Sequence, residues 1–310
     1  MFRSFFLYLS ASTRTRRTLT SLPFATRLSR RFVAGETLDD AISVVRALNA
    51  KGMLVSLDHL GENVHTQADA ERATQAYIDL LNRIAQAGVN SNVSLKLTAL
   101  GLDISEDLCI ANMRHILTCA KDTGNFVRID MEGSAYTERT LRVFRTLRAD
   151  YSFDNVGVVI QAYLYRSEQD VRQLAVEGAN IRLCKGAYKE PPAVAFPEKA
   201  DVDANYIKLM QLYLSDEARA RGAHIGVATH DENMINATKR YVAEHNIAKD
   251  RFEFQMLYGI RPQAQQQIVA DGYKMRVYVP YGTEWYPYFM RRLAERPANV
   301  WFVLRHIVSS

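Results

Sequence analysis

The sequence predicts an α/β chain folded as a TIM-like (β/α)8 barrel, with a helical segment ahead of the first strand and a final helix over the barrel mouth. Three observations lead there. Short runs that read as strands alternate strictly with segments of helical periodicity, eight times over. The loops joining them are mostly short, and several of the helices stop at a glycine. No G-x-G-x-x-G follows a strand and no G-x-x-x-x-G-K-[ST] occurs, so a dinucleotide-binding sheet and a P-loop both lack their signals.

The elements follow in order. Thr37 reads as an N-cap with Asp40 three residues on, and Ala41, Ile42, Val44, Val45 and Leu48 then recur at helical spacing until Gly52. Residues 53–58 read as the first strand. Residues 67–87 form a long helix with Ala73, Tyr77, Leu80, Leu81 and Ile84 on its apolar face, ended by Gly88. The second strand covers 93–97 and its helix 108–121; the third covers 126–131 and its helix 137–148. The fourth spans 156–161, followed by a helix over 167–177. In the fifth, Asn180 to Leu183 alternate polar and apolar, and Cys184 to Ala187 open into a glycine-containing turn. Pro191 and Pro192 forbid a helix directly after it, so a long connection crosses 189–202 before a helix over 203–221. The last three units pair strands 223–229, 252–257 and 274–279 with helices 232–245, 261–270 and 284–295.

A chain of 310 residues with 48% hydrophobic content has ample material for one large core. Its cysteines, Cys109, Cys119 and Cys184, form neither a CxxC nor a metal-ligand spacing, which suits a reducing compartment and no metal site. The formal charge of +5 is unevenly placed. Residues 1–31 hold seven Arg and no acid; without them 32 basic and 34 acidic residues remain, a net of −2. The body at 32–310, read as a single catalytic domain, is therefore no nucleic-acid binder. The basic arm at 1–31 fits a transit peptide or an amphipathic arm on anionic lipid, and its apolar run from Phe5 to Leu9 is too short to span a bilayer.

In a barrel of this kind chemistry sits at the C-terminal ends of the strands. That rule selects Asp58, Lys96, Asp130, Gln161, Arg182 with Lys185, Thr229 with His230, Leu257 with Tyr258, and Tyr278. Each alone has a plain structural explanation: Asp58 as a turn cap, Lys96 as an outward lysine, Gln161 and Thr229 as partners of backbone, His230 as a packed side chain. Their recurrence at most strand ends is harder to explain that way. An arginine inside a strand is costly unless it meets something anionic or electron-rich. A mouth of cations, amides and a few carboxylates suits an anionic cofactor and a small anionic substrate. On the last helix Tyr288, Arg291, Arg292 and Glu295 fall at about 0°, −60°, +40° and −20°, one shared face at ~100° per residue. Two guanidiniums on that face can clamp a carboxylate.

These segments resemble the proline dehydrogenase family, the flavin enzymes of the first step of proline catabolism. The motifs are Val93-Ser94-Leu95-Lys96-Leu97-Thr98, Arg128-Ile129-Asp130-Met131-Glu132, Ile160-Gln161-Ala162-Tyr163-Leu164, the run from Ile181 to Tyr188, Ala228-Thr229-His230-Asp231, Phe252 through Gly259, Tyr278-Val279-Pro280-Tyr281-Gly282, and Tyr288 through Glu295. They occur in family order, and the length is similar to that of the short single-function bacterial members. The resemblance implies noncovalent FAD on the strand ends, with no His or Cys in an attachment context. It implies that Asp130 and Arg182 are catalytic, Arg182 near flavin N5 and Asp130 orienting an arginine of the clamp. Arg291 and Arg292, helped by Lys96, would pair with the L-proline carboxylate, and Tyr188, Leu257, Tyr278 and Tyr288 would pack on the ring. Met131, Gln161, Lys185, Gly186, Ala187, Thr229 and His230 would line FAD, with Glu295 in the cofactor-side network of the final helix. The product would be Δ1-pyrroline-5-carboxylate. A membrane quinone would take the electrons, with the protein cytoplasmic and peripheral on the inner face of the membrane, or mitochondrial if 1–31 is a transit peptide. Two other activities remain open to the residues themselves: hydroxyproline dehydrogenation, opposed by the bulk of Tyr288, and Schiff-base aldolase chemistry on Lys96 or Lys185.

Overall fold

Eight parallel strands pair in sequence order and β8 returns to β1, closing the barrel. They are β1 (Leu54–His59), β2 (Ser91–Leu95), β3 (Val127–Ile129), β4 (Val156–Gln161), β5 (Asn180–Cys184), β6 (His224–Ala228), β7 (Phe252–Leu257) and β8 (Met275–Tyr281). The helices are α1 (Leu38–Asn49), α2 (Gln67–Ala87), α3 (Glu106–Asp122), α4 (Ser134–Ala149), α5 (Ser167–Val176), α6 (Lys199–Tyr213), α7 (Asp216–Ala220), α8 (Glu232–Glu244), α9 (Pro262–Ala270) and α10 (Trp285–Glu295). The computed structural model describes residues 29–61 and 64–295, the last five of these by backbone alone. The basic arm at 1–31 therefore lies outside the described residues except for its last three. Among the described residues no helix is long and apolar enough to cross a membrane.

Local chemistry starts the helices. Thr37 accepts from the Asp40 backbone N–H while the Asp40 carboxylate accepts from the Thr37 N–H, the reciprocal cap expected from the sequence. Thr66 and Asp69 repeat it at the start of α2. The helix expected over 203–221 is two. Ser215 accepts from the Ala218 N–H and so caps a second helix, α7, which breaks the run after Tyr213. The long connection is also shorter than expected, because α6 already begins at Lys199.

The strands carry two sets of side chains. One set, including Val55, Leu57, Val93, Leu95, Val127, Ile129, Val158, Ile181, Leu183, Ile225 and Val227, is fully buried and packs under the helices. The alternate set points into the lumen and is largely polar: Ser56, Ser94, Arg128, Arg182, Glu253, Gln255 and Tyr278. Buried polar groups of that number require hydrogen-bond partners, and the lumen supplies them.

The final helix caps the mouth as expected. Trp285, Tyr286, Tyr288, Phe289 and Met290 pack with Leu60 beyond β1, with Leu257 and Ile260 at the end of β7, and with Phe32 and Val33. That lid is tied to the preceding segment at Gly259, whose φ is +74° and whose α-carbon abuts the Arg31 carbonyl, where a Cβ would overlap it. Gly259→Ala is expected to cost about 1–3 kcal/mol, from left-handed strain plus the collision. Urea unfolding of the two proteins checks this, and an unchanged midpoint would mean the contact contributes nothing.

Candidate active site

The site is built around the Arg182 guanidinium, 6% exposed in the upper half of the lumen. Its Nε donates to Gln255 Oε1 on β7 at 2.5 Å. Its Nη1 donates to Asp130 Oδ1, one residue past β3, at 2.5 Å. Its Nη2 donates to Ser94 Oγ on β2 at 2.9 Å and to Ser56 Oγ on β1 at 3.5 Å. The cation also sits 5.1 Å from the centre of the Tyr278 ring on β8. One side chain of β5 thus ties together residues from five other strands or strand ends.

Asp130 closes the arrangement. Its second oxygen accepts from the Tyr278 hydroxyl at 2.8 Å. Burial raises the Tyr278 phenol well above its ordinary value, and the Asp130 and Asp58 carboxylates raise it further, so the hydroxyl stays protonated and donates. The two oxygens of Asp130 are thus engaged by Arg182 and Tyr278, which lie level with it inside the barrel, while its expected pairing with an arginine of the clamp concerns side chains that are not described. The side chains of Arg291, Arg292 and Glu295 lie outside the described residues.

Other expected residues stand at the ends of the strands or just beyond them. Gln161, at the end of β4, donates to the Met131 and Glu132 carbonyls at 3.1 and 3.0 Å, and its own Oε1 is buried with no partner among the described residues. Met131 is buried beside it. Lys96 is half-buried one residue past β2, between the fully buried Leu95 and Leu97, and so faces opposite to them. His230 Nε2 accepts from the Leu257 N–H at 2.9 Å, which fixes that nitrogen as the unprotonated one, and Thr229 Oγ1 accepts from the Asp231 N–H at 3.0 Å. Leu257 and Tyr288 share the apolar cluster under α10. Gly186 lies against the Tyr163 ring. Ala187 and Tyr188 are exposed on the loop after β5, with Tyr188 at 44%.

Lys185 stands apart with its own anions. It donates to Asp231 at 2.7 Å and also to Asp203, and Lys199 reaches the same two carboxylates. Burial would raise the Asp231 carboxyl, but the Lys185 hydrogen bond and the Asn233 N–H outweigh it and hold it at about 2.

Some of the residues that matter most were not selected from the sequence: Ser56, Ser94 and Gln255, and below them Glu253 with Arg276. Their signal was present. Each is polar and stands at the alternate position of a strand whose other positions are apolar.

A closed α/β barrel whose strand ends converge on one buried, carboxylate-paired guanidinium has the form of a barrel enzyme, with its polar groups gathered at the catalytic face. The family model described as "Proline dehydrogenase" matches residues 41–305. Proline dehydrogenase 1 of Bacillus subtilis strain 168 is 46% identical over 311 residues, 99% of this chain and 99% of that one. Proline dehydrogenase of Deinococcus radiodurans is 45% identical over 281 residues, 90% and 89% of the two chains. Among solved structures, proline utilization A from Bdellovibrio bacteriovorus superposes with a TM-score of 0.81 at 29% identity, covering 87% of this chain and 33% of that longer one. The chain belongs to the proline dehydrogenase family.

The Asp231 carboxyl gives this site a signed pH dependence. Its folded value is depressed below the ordinary 3.8, so its contribution to stability is fully present above that value and is lost as pH falls towards about 2. Asp231→Asn should therefore be less stable than the parent at pH 7, and the gap should close in acid. Urea midpoints across that range check it; a gap independent of pH would assign the difference to the helix cap alone.

Proposed function

We propose that this protein oxidises L-proline to Δ1-pyrroline-5-carboxylate on a noncovalently bound FAD held at the strand ends. The observation that carries the reading is the Arg182 guanidinium, fixed from several strands at the mouth of a barrel whose sequence matches the family over residues 41–305. The residues present fit the cofactor. Gln161 Oε1 is a buried acceptor with no protein partner among the described residues, suited to a ring N–H. Arg182 and Lys185 are cations on the strand that opens the site.

FAD, when bound, would supply the hydride acceptor for oxidation of the ring carbon next to the proline nitrogen. The protein's own work is alignment and charge. Arg182 keeps a fixed positive charge where negative charge develops, and Asp130 and the two serines prevent it from turning away. Met131, Gln161, Lys185, Gly186, Ala187, Thr229 and His230 hold the cofactor. Arg291, Arg292 and Lys96 hold the substrate carboxylate, Tyr188, Leu257, Tyr278 and Tyr288 wall the ring, and Glu295 supports the final helix on the cofactor side. The aromatic face of α10 and the apolar cluster beneath it keep water from the mouth. A membrane quinone takes the electrons onward, with the body at 32–310 working peripherally on the inner face of the membrane and the arm at 1–31 touching anionic lipid. Family membership and the seven arginines of that arm support this.

The Schiff-base alternative is disfavoured at Lys185, whose side chain lies between two carboxylates and not in the apolar pocket that such chemistry needs. Hydroxyproline is disfavoured by Tyr288, buried in the cluster beside Leu257.

The direct test is absorbance. Purified protein should be yellow, release flavin on acid precipitation and bleach on adding proline without oxygen. Absence of flavin, flavin that stays attached after precipitation, or no bleaching overturns the proposal. The substrate clamp is tested separately. Arg291→Lys and Arg292→Lys keep the charge but lose the planar fork, which should cost about 1.5–3 kcal/mol, roughly 10- to 150-fold in kcat/KM, at unchanged flavin content. Unchanged kcat/KM in both variants removes the pair from the site.

A further inference from the structure

Arg182 is fixed from below by a polar chain whose parts have no assigned role. Gln255 Oε1 accepts from Arg182 Nε at 2.5 Å, and its Nε2 donates to Glu253 Oε1 at 2.6 Å. Glu253 Oε1 accepts in turn from Arg276 Nε at 2.7 Å, and Arg276 Nη1 donates to the Val55 carbonyl at 2.7 Å. The foot of the chain, Glu253 with Arg276, lines a cavity of about 650 Å³ at the opposite end of the barrel. Gln255 itself is 4% exposed.

The direction of the Gln255 amide follows from its neighbours. An arginine Nε can only donate, so the amide oxygen must face Arg182. An ionised carboxylate can only accept, so the amide nitrogen must face Glu253. Burial would raise the Glu253 carboxyl, but the Arg276 guanidinium outweighs it and keeps the group ionised. The amide has one satisfied orientation. Reaching Arg182 on β5 from β7 means crossing β6, and the crossing point is Gly226, in register with Arg182 on one side and Glu253 on the other. A Cβ at Gly226 would strike the Gln255 amide.

We propose that Gln255 is a positioning residue, which fixes the Arg182 guanidinium towards the cofactor through an amide oriented by Glu253 and given its space by Gly226. The proposal rests on the reading of Arg182 as the cation at the flavin. It predicts an effect on electron affinity and turnover more than on substrate binding, since no part of the chain reaches the face of α10 that holds the clamp.

The test is the midpoint potential of the bound flavin. Gln255→Met keeps the side-chain volume but gives Arg182 Nε no acceptor. Losing one hydrogen bond to a charged group should make the flavin about tenfold harder to reduce, about 30 mV more negative for a two-electron couple. The kcat should fall by about the same factor while KM for proline holds within about twofold. Gly226→Ala, which displaces the same amide from the other side, should move both quantities in the same direction and decides the matter if Gln255→Met does not fold. A merely structural role would lower the thermal stability of flavin-free protein and leave the potential at the wild-type value, which overturns the proposal. The two readings fail separately: a wild-type protein without flavin sinks the proposed function, whereas flavin-loaded, proline-reducible variants at the wild-type potential sink only the role of Gln255.

Discussion

Placing the Arg182 guanidinium inside the barrel is the constraint on which the rest of the lumen depends. A buried cation is tolerated only if its donors are satisfied and an opposite charge lies close. Asp130 supplies the charge, and Ser94, Ser56 and Gln255 take the remaining directions. Each partner comes from a different strand, so the barrel must be closed, in register and polar at this level for the cation to exist there. Removing Asp130 would leave both Arg182 and the Tyr278 hydroxyl without their shared acceptor. The small serines matter as much as the charged groups, because a larger side chain at either position would fill the space the guanidinium occupies.

A second guanidinium lower in the lumen makes the asymmetry plain. Arg128 donates to the Asn180 carbonyl and to Asn180 Oδ1, both at 2.6 Å, and no ion pair holds it among the described residues. Burial pushes it down to about 9, and the neighbouring Arg182 adds to the fall. With Arg276 also facing inward, the lumen carries three guanidiniums and the carboxylates of Asp58, Asp130 and Glu253, so its charges match in number and only Arg128 is left without a carboxylate partner among the described residues.

The architecture was legible because outward-facing positions such as Val93, Leu95, Ile181 and Leu183 put apolar residues at every second place over a strand's length, separated by helices with readable caps. What failed was local. Nothing in the apolar periodicity of 203–221 marks Ser215 as a new cap, because a serine in an amphipathic helix and a serine at its start look alike until the hydrogen bond to Ala218 is seen. At the site, Asp130, Arg182 and Tyr278 were selected because they stand at or near the C-terminal ends of strands, where a barrel carries its chemistry. Their mutual pairing was hidden, because it depends on which residues meet across the lumen, and closure and stagger decide that. Ser56, Ser94 and Gln255 were missed for a related reason: they lie within strands, where an inward polar residue is indistinguishable from an outward one until the face is known.

The division between strands and final helix explains why the site needs both. Strand residues are locked by the parallel ladder and by one another, so they suit a charge whose position must not vary. The face of α10 is held mainly by packing of Trp285, Tyr288 and Phe289 on Phe32, Leu60 and Leu257, with Trp285 Nε1 donating to Glu36 at 3.0 Å. Contacts of that kind are less directional than a ladder of hydrogen bonds and adjust to the shape beneath them. The barrel mouth thus pairs a fixed floor with an adaptable roof. The arrangement also accounts for where the glycines with tertiary demands fall: Gly226 makes room in the floor, and Gly259 lets the chain turn beneath the roof against the Arg31 carbonyl.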